Sequence, residues 1–346
     1  MVAAAVALVG AFWFGSRYPA LLGKAAHVGQ AVPSMAFSGQ LIPVAADASM
    51  GWRIVATAIN WLDSMRVGMT FGVLFGALLH TVLRYYPLHI GRNLYINSLT
   101  GAVVGIPMGV CANCAVPAAC GLTRGRGRVE VALGFLFSSP SFNPVVLSMT
   151  VLTLPLGMVV AKYTLLLGVI LLVVPTLIRW LEPDAPLPIV TSPPAVVAAP
   201  AITLRSPECD ERFTDVLREL ALAFGGHVWA LVKPTVTLML AASVSAAVVL
   251  TVVPWDTLLS EVSPIRMAVA SLLAVFMPVP IALDVMFAAQ LQRQGVAPGY
   301  VMLFLTTLGT YSIIPSVYLW REVSRTLSVA LFVFFVVAGW FLGLAF

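Results

Sequence analysis

Three cysteines lie within ten residues of one another in "PMGVCANCAVPAACGLTRGRGR", residues 107–128, of a chain that holds only 4. Cys111 and Cys114 form a C-x-x-C pair, and Cys120 follows Pro117. Residues three apart on a helix share a face, so both sulfurs of the pair can bind one centre. Thiolates are soft ligands that select zinc, Cu(I) and, by extension, mercury or trivalent arsenic. The pair is therefore the first candidate for a substrate-binding or metal-binding site.

Cys120 is a possible third ligand if Pro117 interrupts the helix, because on an unbroken helix its side chain would point away from Cys111. The competing interpretation is that membrane cysteines are small packing residues. A structural zinc site is disfavoured, because no second C-x-x-C and no nearby histidine pair complete the ligand set. Cys209 lies apart, in a polar linker, and is predicted to have no role in the site.

One acidic residue, Asp284, interrupts the apolar segment "MPVPIALDVMFAAQLQRQG". An ionisable side chain inside a membrane span costs free energy and is a functional candidate by default. We therefore predict a proton-coupling or cation-coupling role for Asp284. The alternative is a residue at the membrane boundary.

Hydroxyls and amides also lie beside helix breakers in "SSPSFNPVV", residues 138–146, and "TTLGTYSIIP", residues 306–315. Asn143 and Ser312 are candidates to line the substrate site, although such groups often only bond to their own backbone. Lys162 and His80 lie in apolar runs as well. Lys162 is expected to extend its amine to the membrane surface, and His80 to be a buried histidine with one hydrogen bond.

The composition predicts the elements that position these residues. Of the 346 residues, 60% are hydrophobic and 10% are charged, whereas soluble domains are about 25% charged. A spanning helix needs about 20 mostly apolar residues. Spans are predicted near residues 67–86, 99–122, 129–151, 156–180, 235–253, 264–290, 297–319 and 325–346. We therefore expect an all-α polytopic membrane protein with about eight or nine transmembrane helices in two structurally similar halves.

Four regions are expected along the chain. Residues 1–66 are an N-terminal apolar segment and an amphipathic interfacial region, and residues 67–180 are the first transmembrane repeat with the cysteine motif. Residues 181–230 form a proline-rich linker, and residues 231–346 form the second repeat. The apolar stretch 2–15 is short for a span, so a first helix and a signal-peptide core both remain open.

A shift of 169 residues superposes Met108 on Met277 and Arg124 on Arg293, which suggests that the halves are copies. With four spans each, the copies would run parallel, unless the motif segments are re-entrant hairpins. In that topology Arg124 and Arg293 lie on the linker side, and Arg321 lies on the opposite side. The arginine excess then places the linker in the cytoplasm. Internal repeats are typical of transporters, with the substrate site at their interface.

The segment "GIPMGVCANCAVPAACGLTRGRGRVEVALGFLFSSPSFNPVVLSMT" resembles the predicted-permease family that includes the ArsP organoarsenical efflux permeases. The shared elements are the cysteines before Ala115-Val116-Pro117, the turn from Gly121 to Arg128, and Pro140 to Pro144. The similarity covers most of residues 60–340 and is specific around 106–150. The spacing "CANC" departs from the family, which leaves the substrate open.

The resemblance implies an inner-membrane permease that exports a trivalent organoarsenical or a similar soft electrophile. Cys111 and Cys114 would bind the substrate, and Asp284 would titrate to drive exchange. No cofactor, no enzymatic activity and no nucleic-acid partner is indicated; the expected partners are a small-molecule or metalloid substrate and the lipid bilayer. The alternative function is membrane thiol redox chemistry, in which the pair would cycle through a disulfide.

Overall fold

A computed structural model describes residues 2–27, 41–45, 47–85, 91–125, 127–181 and 213–346. Every regular element in these ranges is helical. Helices long and apolar enough to cross a membrane are Ala3–Ala26, Met50–Tyr85, Leu156–Leu181, Thr214–Val252 and Arg325–Ala345, and the pair Val129–Ser141 and Pro144–Thr153, bent by 48°, can form a sixth span. The predicted all-α polytopic fold is therefore confirmed.

The part of the chain described before the linker contains α-helices, two π-helical turns and one 3-10 turn. They are α1 (Val2–Phe12), the turn Trp13–Arg17, α2 (Tyr18–His27), α3 (Met50–Tyr85), α4 (Leu94–Gly105), the turn Ile106–Met108, α5 (Ala112–Arg124), α6 (Val129–Ser141), α7 (Pro144–Thr153), α8 (Leu156–Gly168), the turn Val169–Val173 and α9 (Val174–Leu181).

Seven helices are described after the linker. They are α10 (Phe213–Val252), α11 (Trp255–Leu259), α12 (Pro264–Phe276), α13 (Leu283–Arg293), α14 (Pro298–Thr307), α15 (Ile313–Glu322) and α16 (Arg325–Ala345). The predicted region boundaries fall inside helices, because α3 continues past residue 66 and α10 continues past residue 230. Most of the predicted linker lies outside the described residues.

The count of uninterrupted spans is lower than predicted, because four of the apolar runs each contain two short helices. The runs at 99–122, 129–151, 264–290 and 297–319 correspond to α4 with α5, α6 with α7, α12 with α13, and α14 with α15. The breaks coincide with residues that disfavour helix. Gly109 and Ala282 have positive φ angles of 57° and 65°, and Pro144 begins α7 after Asn143.

The first cysteine segment is a helical hairpin. Helix α4 runs parallel to α6, since Asn97 near its start bonds to Glu130 (2.8 Å) and Gly105 at its end packs on Ser138. Helix α5 runs antiparallel to α6, because the Val110 amide before it bonds to Ser139 (3.2 Å). Thus α4 and α5 run in opposite directions and meet at residues 106–111, the first tip. A hairpin of two short helices is re-entrant rather than spanning.

The segment that contains Asp284 is a second hairpin. Helices α12 and α14 both run antiparallel to α16. For α12, Trp340 bonds to the Pro264 carbonyl (2.9 Å) and Ser271 bonds to the Val336 carbonyl (2.7 Å). For α14, Gly299 packs on Gly343 and Thr307 packs on Gly339. Helix α13 runs antiparallel to α14, as the Phe287–Phe304 contact (5.2 Å between ring centroids) and the neighbouring Asp284 and Gly309 indicate. Helices α12 and α13 therefore meet at residues 277–282, the second tip.

The second tip meets the start of α5 and helix α3 in the interior of the molecule. The Asn113 side-chain amide donates a 3.0 Å hydrogen bond to the carbonyl of Val279. Trp61 on α3 donates a 2.7 Å bond to the carbonyl of Pro278. These bonds satisfy backbone groups that a turn exposes, which is required where no water can do so.

The halves do not run parallel, so that expectation is wrong. Helix α3 contacts α10 with Thr81 beside His227 (2.8 Å) and Ala77 clustered with Leu231, so residue numbers rise along one helix as they fall along the other. The ends of α5 and α15 lie on one side, because Arg124 and Glu322 form an ion pair of 2.6 Å. Arg321 therefore lies on the same side as Arg124, not opposite to it.

The N-terminal apolar stretch is a full helix that extends well past residue 15. It runs from Ala3 to Ala26 with a length and hydropathy sufficient to cross a membrane. Phe12 stacks on Phe71 of α3 with ring centroids 3.8 Å apart, and Leu21 is buried. The helix is thereby packed against α3.

Candidate functional site

The cysteine pair lies at the first tip. Cys111 is the N-cap of α5, and its sulfur accepts a 3.3 Å hydrogen bond from the Cys114 amide. The two sulfurs are 2.7 Å apart, and the residues are only 2% and 1% exposed. Both sulfurs can therefore bind one centre, in a space that is shielded from bulk solvent.

Close packing of α3 on α5 holds this pair in position. A Cβ atom added to Gly72 would collide with the carbonyl of Cys114, and one added to Gly76 would collide with that of Pro117. Small residues allow helix backbones to approach in this way in membranes.

Cys120 does not join the pair. Helix α5 continues unbroken through Pro117, contrary to expectation, so the sulfur of Cys120 points to another face. There it packs against Val73, Ala77 and Leu231 between α3 and α10. Its role as a third ligand stays a prediction that no contact supports. In the described part of the chain, no group of three or more His, Cys, Asp or Glu residues could hold a metal ion.

A third sulfur does lie at the site, and it belongs to Met65 of α3. Its thioether is 3.8 Å from the Cys111 sulfur and 3.9 Å from the Cys114 sulfur. Thioethers are soft donors that suit the same class of centre as thiolates. The sequence offered no signal for this residue, since a methionine in an apolar helix is usually a packing residue.

The N-terminal helix brings a cation to the thiols. Arg17 lies in the π-helical turn, and such turns frequently occur at functional sites. The position of a Cβ built on Gly68 is 2.8 Å from the Cys114 sulfur and 3.0 Å from Nη2 of Arg17. The guanidinium and the thiol therefore border the same small space.

Lys24, in α2, reaches the second tip. Its amine donates a 2.9 Å hydrogen bond to the carbonyl of Ile281. Sequence reasoning passed over both cations, although each stands in a mostly apolar segment, which is the signal that singled out Asp284.

Asp284 and Lys162 form a buried ion pair. The amine of Lys162 is 2.5 Å from the carboxylate, and the side chains are 0% and 6% exposed. The boundary interpretation of Asp284 is thus wrong, and so is the expectation that Lys162 extends to the membrane surface. The pair joins α8 of the first half to α13 of the second, immediately after the second tip.

Asn143 and Ser312 occupy matching breaks beside the tips. Asn143 caps α7 by accepting from the Val145 amide (3.1 Å), and its side-chain nitrogen packs on Gly109 of the first tip. Ser312 caps α15 and donates a 2.6 Å hydrogen bond to Asn113. Both residues have structural bonds next to the thiols; whether they contact a substrate stays a prediction.

His80 lies away from the tips. Its ring stacks on His227 with centroids 3.8 Å apart, in the contact between α3 and α10. It therefore belongs to the packing of these two helices rather than to the thiol site.

A groove of ≈ 470 Å³ opens between α2 and α7. It is lined by Tyr18, Leu22, Ala25, Pro144, Val145, Ser148, Met149, Leu152 and Thr153. Tyr18 follows Arg17 in the chain, and Pro144 follows Asn143. The groove is mostly apolar.

Comparison with known proteins identifies the family. No curated protein and no solved structure matches the chain. A family model described as predicted permease matches residues 80–345, which is most of the chain and includes both hairpins. The chain therefore belongs to the ArsP_1 predicted-permease family of multi-pass membrane proteins.

Proposed function

We propose that this permease exports a thiol-reactive soft substrate, such as a trivalent organoarsenical, across the plasma membrane. The observation that carries the proposal is the buried Cys111–Cys114 pair, whose sulfurs are 2.7 Å apart at the point where two re-entrant hairpins meet. Transporters build their substrate sites from such broken helices at the midplane.

The binding chemistry requires no change of oxidation state. A trivalent arsenical R–As(OH)₂ reacts with the two thiols to form two As–S bonds and release two water molecules. Release of the substrate reverses these steps. Met65 provides a third soft donor near the bound arsenic, which favours a soft centre over a hard cation.

The internal repeat is part of the proposal, in an inverted form. Helices α6, α7 and α8 begin at residues 129, 144 and 156, and α14, α15 and α16 begin at 298, 313 and 325, each 169 residues later. This shift equals the one that aligns the sequence with itself. Because α3 and α10 are antiparallel, the two halves would be related by an axis in the membrane plane. Inverted repeats support alternating access around a central site.

The ion pair between Lys162 and Asp284 is proposed to couple transport to proton movement. It joins the two halves beside the second tip, so any movement of one half against the other changes its environment. A proton on Asp284 would remove the carboxylate charge that holds Lys162.

The arginine distribution supports a cytoplasmic linker. The end of α3 packs beside Gly125 through Leu83, and Arg124 pairs with Glu322, so Arg84, Arg124 and Arg321 lie on one side. The linker connects α9 to α10 on that side, because α10 begins before His227, which lies near the end of α3. An excess of arginine marks the cytoplasmic face.

Transport into everted membrane vesicles tests the proposal. Wild-type vesicles should accumulate phenylarsenoxide, while Cys111→Ser and Cys114→Ser vesicles should not, and the double variant should be no worse than either single one. Cys120→Ser is the matched control, since this cysteine lies on the same helix but away from the pair. Wild-type accumulation by either pair variant would refute the thiol site.

A redox function is the second candidate, because the sulfurs are close enough to join as a disulfide. Its weakness is access: a partner thiol must attack one of the sulfurs, and both residues are almost completely buried. The same vesicles separate the two functions. Transport requires the reduced pair, whereas a redox protein should trap a mixed disulfide with a partner when one cysteine is replaced.

A further inference from the structure

Arg17 borders the thiol pair, Lys24 of the same helix reaches the second tip, and neither cation forms an ion pair with a described residue. We infer that the preferred substrate carries an anionic group of the carboxylate class. The soft atom binds Cys111 and Cys114 while the anion binds Arg17. This inference rests on the proposed thiol site and specifies the chemistry of its substrate.

The position of Arg17 is the first observation. Its Nη2 and the Cys114 sulfur border one small space next to Gly68, and its Cγ lies 3.6 Å from a Cβ built on Gly109 of the first tip. Its Nε is buried, and in the described part of the chain it has no hydrogen-bond partner. Its guanidinium lies over the ring of Phe12, 4.9 Å from the ring centroid.

The charge balance is the second observation. None of the ion pairs among the described residues includes Arg17 or Lys24. Asp284 beside the second tip is bonded to Lys162. Among the described residues at the two tips, the three cations Arg17, Lys24 and Lys162 are thus matched by a single carboxylate. Uncompensated charge in a low-dielectric interior is costly, so a bound anion would be favoured there.

The local backbone favours the same charge. Helix α5 begins at the thiols with Cys111 as its N-cap, and the first amides of a helix carry partial positive charge. In transporters the N-termini of half-helices face the anionic groups of substrates.

A neutral arsenical would leave this charge unbalanced. Once both thiols have reacted, the adduct R–As(S-Cys)₂ is uncharged, and Arg17 and Lys24 remain without an anion. A substrate with a carboxylate on its organic group compensates them in the same step. Tyr18, which follows Arg17 in the chain, lines the apolar groove between α2 and α7, and the groove has room for the aromatic part of such a molecule.

Arg17, Lys24 and Met65 all precede residue 80, where the match to the permease family begins. In this proposal the N-terminal helix adds a specificity element to the thiol site.

Binding of three arsenicals to the purified full-length protein tests the inference. The probes are phenylarsenoxide, its 4-carboxylate and the neutral 4-carboxamide, titrated in detergent micelles. Tryptophan fluorescence reports binding, since Trp61 contacts the second tip and Trp13 lies in the turn with Arg17. The Cys111→Ser variant provides the blank. The carboxylate should bind about tenfold tighter than the carboxamide, the size of one hydrogen bond to a charged group.

Variants of Arg17 assign the preference. Arg17→Gln should bind all three probes equally, at the affinity of the neutral ones, and Arg17→Lys should keep part of the preference. Arg66→Gln is the control, because that arginine is 73% exposed and pairs with Asp63. Equal binding of the probes by the wild type, or a carboxylate preference that survives in Arg17→Gln, overturns the inference while the thiol site stands. Failure of all three probes to bind overturns the thiol site and the inference together.

Discussion

Removing the charge of Asp284 should destabilise the protein through Lys162. The Lys162 side chain is 0% exposed, and its amine is bonded to this carboxylate at 2.5 Å. Asp284→Asn keeps the shape, which matters because a Cβ on Gly309 would stand 3.3 Å from the carboxyl carbon. It leaves a buried ammonium without a counter-charge, which costs about 3–5 kcal/mol. This corresponds to a factor of more than about a hundred in the folding equilibrium.

The double variant Lys162→Met with Asp284→Asn separates stability from coupling. Methionine fills the volume of the lysine stem without a charge, so the double variant should regain most of the lost stability. Thermal unfolding of the purified protein, followed by tryptophan fluorescence, measures this recovery. Transport driven by an imposed pH gradient in everted vesicles measures coupling. We expect both the Asp284→Asn variant and the double variant to bind phenylarsenoxide yet fail to transport it against a gradient.

A surface pair provides the control for magnitude. Asp63→Asn should change the stability by no more than about 1 kcal/mol, because its partner Arg66 is 73% exposed. Unchanged thermal stability in Asp284→Asn would refute the reasoning from burial. A double variant that recovers both stability and gradient-driven transport would show that the pair is structural, and that coupling resides elsewhere.

Three further predictions follow from the packing. Gly72→Ala should destabilise the protein by about 1–3 kcal/mol and impair arsenical binding, because the new Cβ collides with the Cys114 backbone. Gly168→Ala is the control, since its Cβ meets no atom within 4 Å, and equal thermal midpoints for the two variants would contradict the close packing. Met65→Leu should weaken phenylarsenoxide binding about tenfold while thermal stability changes little, and unaltered affinity would remove the third donor. Arg124→Glu should lower the free energy of unfolding by about 1.5–3 kcal/mol, and adding Glu322→Arg to the same chain should restore most of this stability. If thermal unfolding shows no rescue, this quarter-exposed pair does not stabilise the contact between the halves.

The helical membrane fold could be predicted from sequence because hydropathy is a local property. An apolar run in lipid must form a helix whatever its neighbours are, since its backbone groups have no other partners. The thiol pair and Asp284 were recognisable for a similar reason. Thiols spaced three apart, or a carboxylate in an apolar run, carry their chemistry in a few consecutive residues.

The direction of the chain within each run could not be predicted in this way. A run such as 99–122 has the composition of one span, yet it contains the turn between α4 and α5. Hydropathy sums are the same for a straight helix and for a hairpin of two short ones. Only the contacts with neighbouring helices, such as Asn97 with Glu130, distinguish them. The error in direction then placed Arg321 on the wrong side.

The partners at the site were decided by tertiary structure alone. Lys162 and Asp284 are separated by 122 residues in the chain, and Met65 by 49 from Cys114. Arg17 reaches the thiols because the N-terminal helix stacks Phe12 on Phe71 of α3. Sequence specifies which side chains have chemistry to offer. Which of them meet depends on packing between helices, because that packing sums many weak contacts that no local pattern encodes.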